Sequence, residues 1–200
     1  MRLLILAATA LLTVPVSAQT MYLPDGATGF GVALSGAYAE GEREGLASIG
    51  ASAIGTALPG LDVSLQVARE VGADDDPALA IAGGVAYYLV RTAPARLGVA
   101  LGLQYASSAS NGIDVVFGTV GLTVGYHAPL SQAVTFVPHG SFAASYGGGA
   151  IPGFGLAGSF APAFQFGQGR TRFVAEPGVV YGFDSRRAAF AASVGLVSSL

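Results

Sequence analysis

Through segment after segment of this chain, bulky apolar side chains fall on every second position and small ones fall between them. A period of two is the repeat of a β-strand, whose successive side chains point to opposite faces; an amphipathic helix would repeat every 3.6 residues. Phe30, Val32, Leu34 and Tyr38 alternate with Gly31, Ala33, Ser35 and Ala37. Leu61, Val63, Leu65 and Val67 alternate with Asp62, Ser64, Gln66 and Ala68. Leu97, Val99, Leu101, Leu103 and Tyr105 alternate with Gly98, Ala100, Gly102 and Gln104, and the pattern continues through Val116–Tyr126 and Phe154–Phe166.

The chemistry of the two faces decides which solvent each one meets. A soluble sandwich or barrel buries its bulky face and shows charge on the other. Here the second face is filled by Gly, Ala, Ser and Thr, and only 10% of all residues are charged, against roughly 25% in an ordinary soluble domain. Such a face makes a poor water-exposed surface but suits the interior of a narrow barrel whose bulky face meets lipid. The mean hydropathy is +0.59, yet beyond the N-terminus no stretch approaches the ~18–20 unbroken apolar residues of a spanning helix.

Charge placement agrees. Glu40, Glu42, Arg43 and Glu44 sit together, as do Arg69, Glu70 and Asp74–Asp76, then Arg91 and Arg96, Arg170 and Arg172, and Asp184, Arg186 and Arg187. Between these groups lie runs of about the 9–11 residues, or slightly more, that a tilted spanning strand needs. Only Asp62 and Glu176 fall inside a run, both on its small-residue face. The reading is all-β, an antiparallel up-and-down transmembrane barrel of about ten strands, with eight as the alternative. The strands are expected near 28–39, 45–56, 61–69, 78–90, 96–106, 114–126, 133–145, 153–166, 171–183 and 187–199. An even count brings both termini to the periplasmic side. The periplasmic turns are then Leu58-Pro59-Gly60, Arg91–Arg96, His127–Gln132 and Gly167–Arg170. The outer connections are Glu40–Glu44, Glu70–Pro77, Ala106–Asn111 with the turn signal Asn111-Gly112, Tyr146–Gly153 and Asp184–Arg187. Tyr38, Tyr105, Tyr126 and Tyr181 fall toward run ends, where aromatic rings favour the membrane–water interface.

Met1–Ala18 carries Arg2, the apolar run Leu3–Leu12 and the small-x-small pattern Val16-Ser17-Ala18, the three parts of a cleaved secretory signal. Residues 19–28 form a short periplasmic lead and 29–200 the barrel domain. Cysteine is absent, which excludes disulfides, thiolate metal sites and a lipid-modified N-terminal cysteine. The net charge of −3 and the scattered arginines give no nucleic-acid footprint. No cofactor or metal is expected, and the chain is expected to be a monomer in the Gram-negative outer membrane.

The export signal, the alternating strands, the charge-bearing connections and the C-terminal run together resemble the small outer-membrane β-barrel proteins of the broad OmpA/OmpX type, by pattern over Gly29–Leu200 rather than by a motif. The resemblance implies outer-membrane lipid and lipopolysaccharide as surroundings, and recognition of the last strand by the assembly machinery. Members often end in an aromatic residue on the lipid-facing phase; here Phe190, Val194, Leu196 and Leu200 share that phase and leucine stands last.

Two places carry candidate chemistry. His139-Gly140-Ser141 sets an imidazole and a hydroxyl two residues apart on one strand face, an arrangement similar to that of outer-membrane lipid A deacylases, but Phe142–Gly153 contains no carboxylate to orient the base. No catalytic residue is therefore assigned, and hydrolysis of lipid or peptide by His139 and Ser141 is the remote alternative. Glu176, in phase with Val174, Gly178 and Val180, must point inward, because a carboxylate in a spanning strand needs water or a partner. A lumenal polar network of Glu176, His139, Gln165, Gln104 and Tyr88 is the expected site. Asp74–Asp76 lacks the spacing of a calcium loop and reads as a solvated turn. A structural or interaction role without catalysis is the leading expectation, and a narrow passive pore or small-solute transporter the alternative.

Overall fold

The computed structural model describes residues 28–39, 46–71, 79–90, 94–108, 113–149, 153–184 and 186–200. Its strands are β1 (Gly29–Ala39), β2 (Leu46–Leu58), β3 (Leu61–Val71), β4 (Leu79–Val90), β5 (Ala95–Ser108), β6 (Ile113–Tyr126), the two-residue β7 (Ala128–Pro129), β8 (Val134–Gly149), β9 (Gly153–Phe166), β10 (Thr171–Gly182) and β11 (Arg187–Ser199). Each long strand pairs antiparallel with the next long strand, β7 adds a short piece to β8, and β11 pairs with β1 from Gly29↔Ser199 to Ala39↔Ala189. The result is a closed barrel of ten long strands. Closure matters because hydrocarbon offers no partner to an unpaired sheet edge.

The closing pair depends on a glycine. Gly195 stands opposite Ala33, and a Cβ there would run into the Val32 carbonyl and the Ala33 side chain. Thr28 and Leu200 lie together at one end, here the terminal end, where the Leu200 N–H donates to the Thr28 carbonyl at 2.9 Å. At the same end the β2–β3 turn uses Gly60 at φ 85, a left-handed conformation that glycine adopts without steric cost.

The alternation becomes an inside and an outside. Leu34, Leu65, Leu103, Phe160 and Phe190 stand exposed on the outer surface, while Asp62, Gln66, Gln104 and Glu176 are buried in the interior. Tyr38, Tyr105, Tyr126 and Tyr181 are exposed near strand ends, Tyr126 at the terminal end and the others at the opposite end. Polar groups inside and a continuous apolar belt outside mark a wall solvated by lipid. Leu101, mid-strand on β5 and 53% exposed, gives a test: Leu101→Arg should lower the unfolding free energy in vesicles by about 2–4 kcal/mol, the midplane cost for a lipid-facing arginine. An unchanged urea midpoint would put that face in water.

The boundaries differ from the sequence expectation in instructive places. β8 runs through Gly147–Gly149, which pair with Val115–Phe117 of β6, so the glycine-rich stretch extends the wall instead of forming a loop from Tyr146. β5 begins at Ala95, which takes Arg96, expected at the junction of turn and strand, fully into the strand, and β10 begins at Thr171 as expected, with Arg172 inside it. β3 runs on to Val71, so Glu70 belongs to the strand instead of opening the outer connection. Met1–Ala18, Gln19–Ala27, Glu40–Glu44, Asp74–Asp76, Arg91 and Asn111-Gly112 lie outside the described residues.

Candidate functional site: a lumenal polar layer

The inward phase of each strand collects the polar side chains. On one wall, His139 from β8 and Glu176 from β10 flank β9, whose inward residues there are Ala161 and Ala163. Two alanines leave room for a bridge over the strand between, and His139 Nε2 lies 3.2 Å from Glu176 Oε2. With a protonated imidazole the contact is an ion pair; with a neutral one carrying its hydrogen on Nε2 it is a hydrogen bond to the carboxylate. Nearer the terminal end, Arg172 Nη1 donates to Gln165 Oε1 at 3.4 Å. A cavity of about 30 Å³ opens beside Glu176 against β1 and β11, lined among others by Gly31, Ala33, Ser193 and Val197, enough for roughly two waters.

Across the lumen, Thr56 Oγ1 donates to Asp62 Oδ1 at 3.0 Å, and the charges of Asp62 and Arg96 both act on the Tyr88 hydroxyl. Tyr88 has no exposed surface. Its ring belongs to one apolar cluster with Ala86 of its own strand and Val137, Ala163, Val174 and Val197 of β8, β9, β10 and β11. β4 is far from those strands around the wall, so the cluster crosses the barrel interior. Tyr88 thus links the two polar groups through an apolar plug.

Of the five expected residues, His139 and Glu176 meet directly, and Gln165 sits with Arg172 on the same wall. Tyr88 reaches that wall by apolar packing. Gln104 stands apart on β5, in register with Ala82 and, through it, with Gln66 of β3. Among the described residues, the Nε2 atoms of Gln66 and Gln104 are buried without a hydrogen-bond partner. Sequence reasoning missed Arg96 and Arg172 as site members. Their phase was the available signal: Arg96 shares the inward phase of Gly98 and Ala100, and Arg172 that of Val174 and Glu176.

The carboxylate absent from Phe142–Gly153 is supplied from elsewhere, since Glu176 reaches His139 from β10. Ser141, the candidate nucleophile, places its hydroxyl 2.7 Å from that of Ser159 on β9. Among the described residues no group of three or more His, Cys, Asp or Glu side chains could hold a metal ion.

No protein-family model matches the sequence, and no curated protein sequence matches it either. Solved structures do resemble it. The translocator domain of the autotransporter NalP from Neisseria meningitidis superposes with a TM-score of 0.51 at 8% identity, over 97% of this chain and 96% of that one. The outer membrane protease OmpT from Escherichia coli gives 0.44 at 10% identity over 87% and 95% of the two chains, and Neisserial surface protein A gives 0.39 at 13% over 86% and 97%. The first likeness agrees with the barrel architecture. A closed antiparallel barrel with a lipid-facing apolar belt is how proteins span the bacterial outer membrane, and that is this chain's fold and place.

Proposed function

We propose that the protein is a monomeric structural or interaction barrel of the outer membrane, neither conducting nor catalytic. One observation carries the reading: fully buried Tyr88 joins four strands across the interior, so side chains fill the terminal half of the lumen. Ten strands enclose little more than the eight that side chains just fill, and much larger barrels are needed for an open channel. The two polar groups beside Tyr88 brace this plug, and the outer face meets lipid and lipopolysaccharide.

Planar-bilayer recording tests it. The wild-type protein should give no stable conductance steps. Reproducible steps would replace this reading with that of a narrow pore.

Hydrolysis has one observation in its favour, the carboxylate that Glu176 presents to His139. Against it, the Ser141 hydroxyl is engaged with Ser159 inside a packed interior. Ester or peptide hydrolysis that disappears in Ser141→Ala would establish it.

A further inference from the structure

The cavity beside Glu176 is graded from polar to apolar. Glu176 and Ser193 stand in register on β10 and β11 and line its outer side. Ile54, Val174 and Val197 line the side nearer the termini. All three are buried, and Val174 and Val197 belong to the cluster around Tyr88, so the plug is the cavity's floor. The space lies against the closing strand pair, where two small residues, Ala33 and Gly195, stand opposite each other. The cavity also has an entrance. Above it, Ser35 and Ala37 of β1, Ala191 and Ser193 of β11 and Gly178 of β10 share the inward phase and are half-buried. An inward residue with exposed surface borders open lumen, so the space continues from the cavity toward the end opposite the termini.

Size and charge select the occupant. Among the residues lining the cavity, Glu176 is the charged one. With His139 neutral, the pair brings one negative charge to a wall of low dielectric constant, where a single sign of charge draws a counter-ion. A divalent metal ion needs a shell of oxygen ligands, and among the described residues no three acidic, thiol or imidazole side chains gather to hold one. An ammonium group needs only acceptors for its N–H groups, and a carbon attached to it suits the apolar floor. The volume of about 30 Å³, room for roughly two waters, matches an ion of two heavy atoms.

We infer that this cavity is a binding site for a small primary ammonium ion of the size of methylammonium, entered from the outer half of the lumen. The ion's N–H groups donate to the Glu176 carboxylate and the Ser193 hydroxyl, and its methyl group lies on Ile54 and Val197. Tetramethylammonium carries the same charge, but it is too large for the cavity and has no N–H to donate.

The test follows urea unfolding of the full chain in phosphatidylcholine vesicles at neutral pH, in methylammonium, tetramethylammonium or sodium chloride at equal ionic strength. Methylammonium should raise the midpoint relative to the other two, by roughly 0.5 M at ten times its dissociation constant. The rise should follow the logarithm of concentration, as binding to the folded state requires. Glu176→Gln keeps the shape of the site and removes its charge. Ala33→Val keeps the carboxylate and fills the space from the opposite wall. Each should abolish the difference between the salts, and the comparison on the wild-type protein stands by itself if a variant does not fold. An equal rise in sodium would mean a site for any small cation, and an equal rise in tetramethylammonium a salt effect on the whole chain. Either result, no rise at all, or a rise that survives either variant would overturn the inference.

Discussion

Tyr88→Ala should cost about 3–5 kcal/mol of unfolding free energy, the range for emptying a large aromatic side chain from a packed interior, and should turn a silent barrel into one that passes ions. Both effects have the same source. The ring is fully buried and forms one cluster with Val137, Ala163, Val174 and Val197, residues whose strands surround the lumen on the far side. The neighbouring alanines and glycines cannot grow to fill the space, so the gap persists and water enters. Asp62 and Arg96 would then lose the hydroxyl on which their charges act. Tyr88→Phe separates the contributions: it keeps the ring, should stay silent in bilayers, and should lose much less stability than Tyr88→Ala. Urea unfolding in vesicles reads the stability and single-channel recording the conductance. Tyr88→Ala protein that is as stable and as silent as wild type would mean that something else closes the barrel.

The strands were legible because a period of two survives in every one of them. The inward phase of Asp62 and Glu176 followed from the same count, and Glu176 was legible as a site residue because charge inside an apolar run is so rare here. Arg96 and Arg172 were harder to read, since each stands at the edge of a turn where arginine is ordinary. A long apolar stem lets the head group of such a residue reach inward from the first turn of the barrel. The facing of Pro138, Pro162 and Pro177 across β8, β9 and β10 was beyond reach for a different reason. Pro138, Pro162 and Pro177 lie far apart in sequence, and each alone reads only as a blemish in a strand. Their alignment appears once the β8–β9 and β9–β10 registers are both fixed. The contact of His139 with Glu176 has the same origin, because a reach over Ala161 and Ala163 depends on how three strands are staggered.

That contact supports the second large effect. Breaking a buried pair by removing one partner costs about 3–5 kcal/mol where the pair is ionic, and His139→Ala and Glu176→Ala each remove one side of the 3.2 Å contact. His139→Ala with Glu176→Ala together should cost less than the sum of the two, by a coupling of about 1–3 kcal/mol for side chains in direct contact. Raising the salt concentration should change this coupling little, because a buried pair is poorly screened. A double-variant cycle by urea unfolding in vesicles gives all four values. Strictly additive losses would mean that the 3.2 Å approach contributes nothing to holding β8 and β10 together over β9. A measured coupling would make the pair a clasp at the level where the prolines have removed the backbone's own bonds.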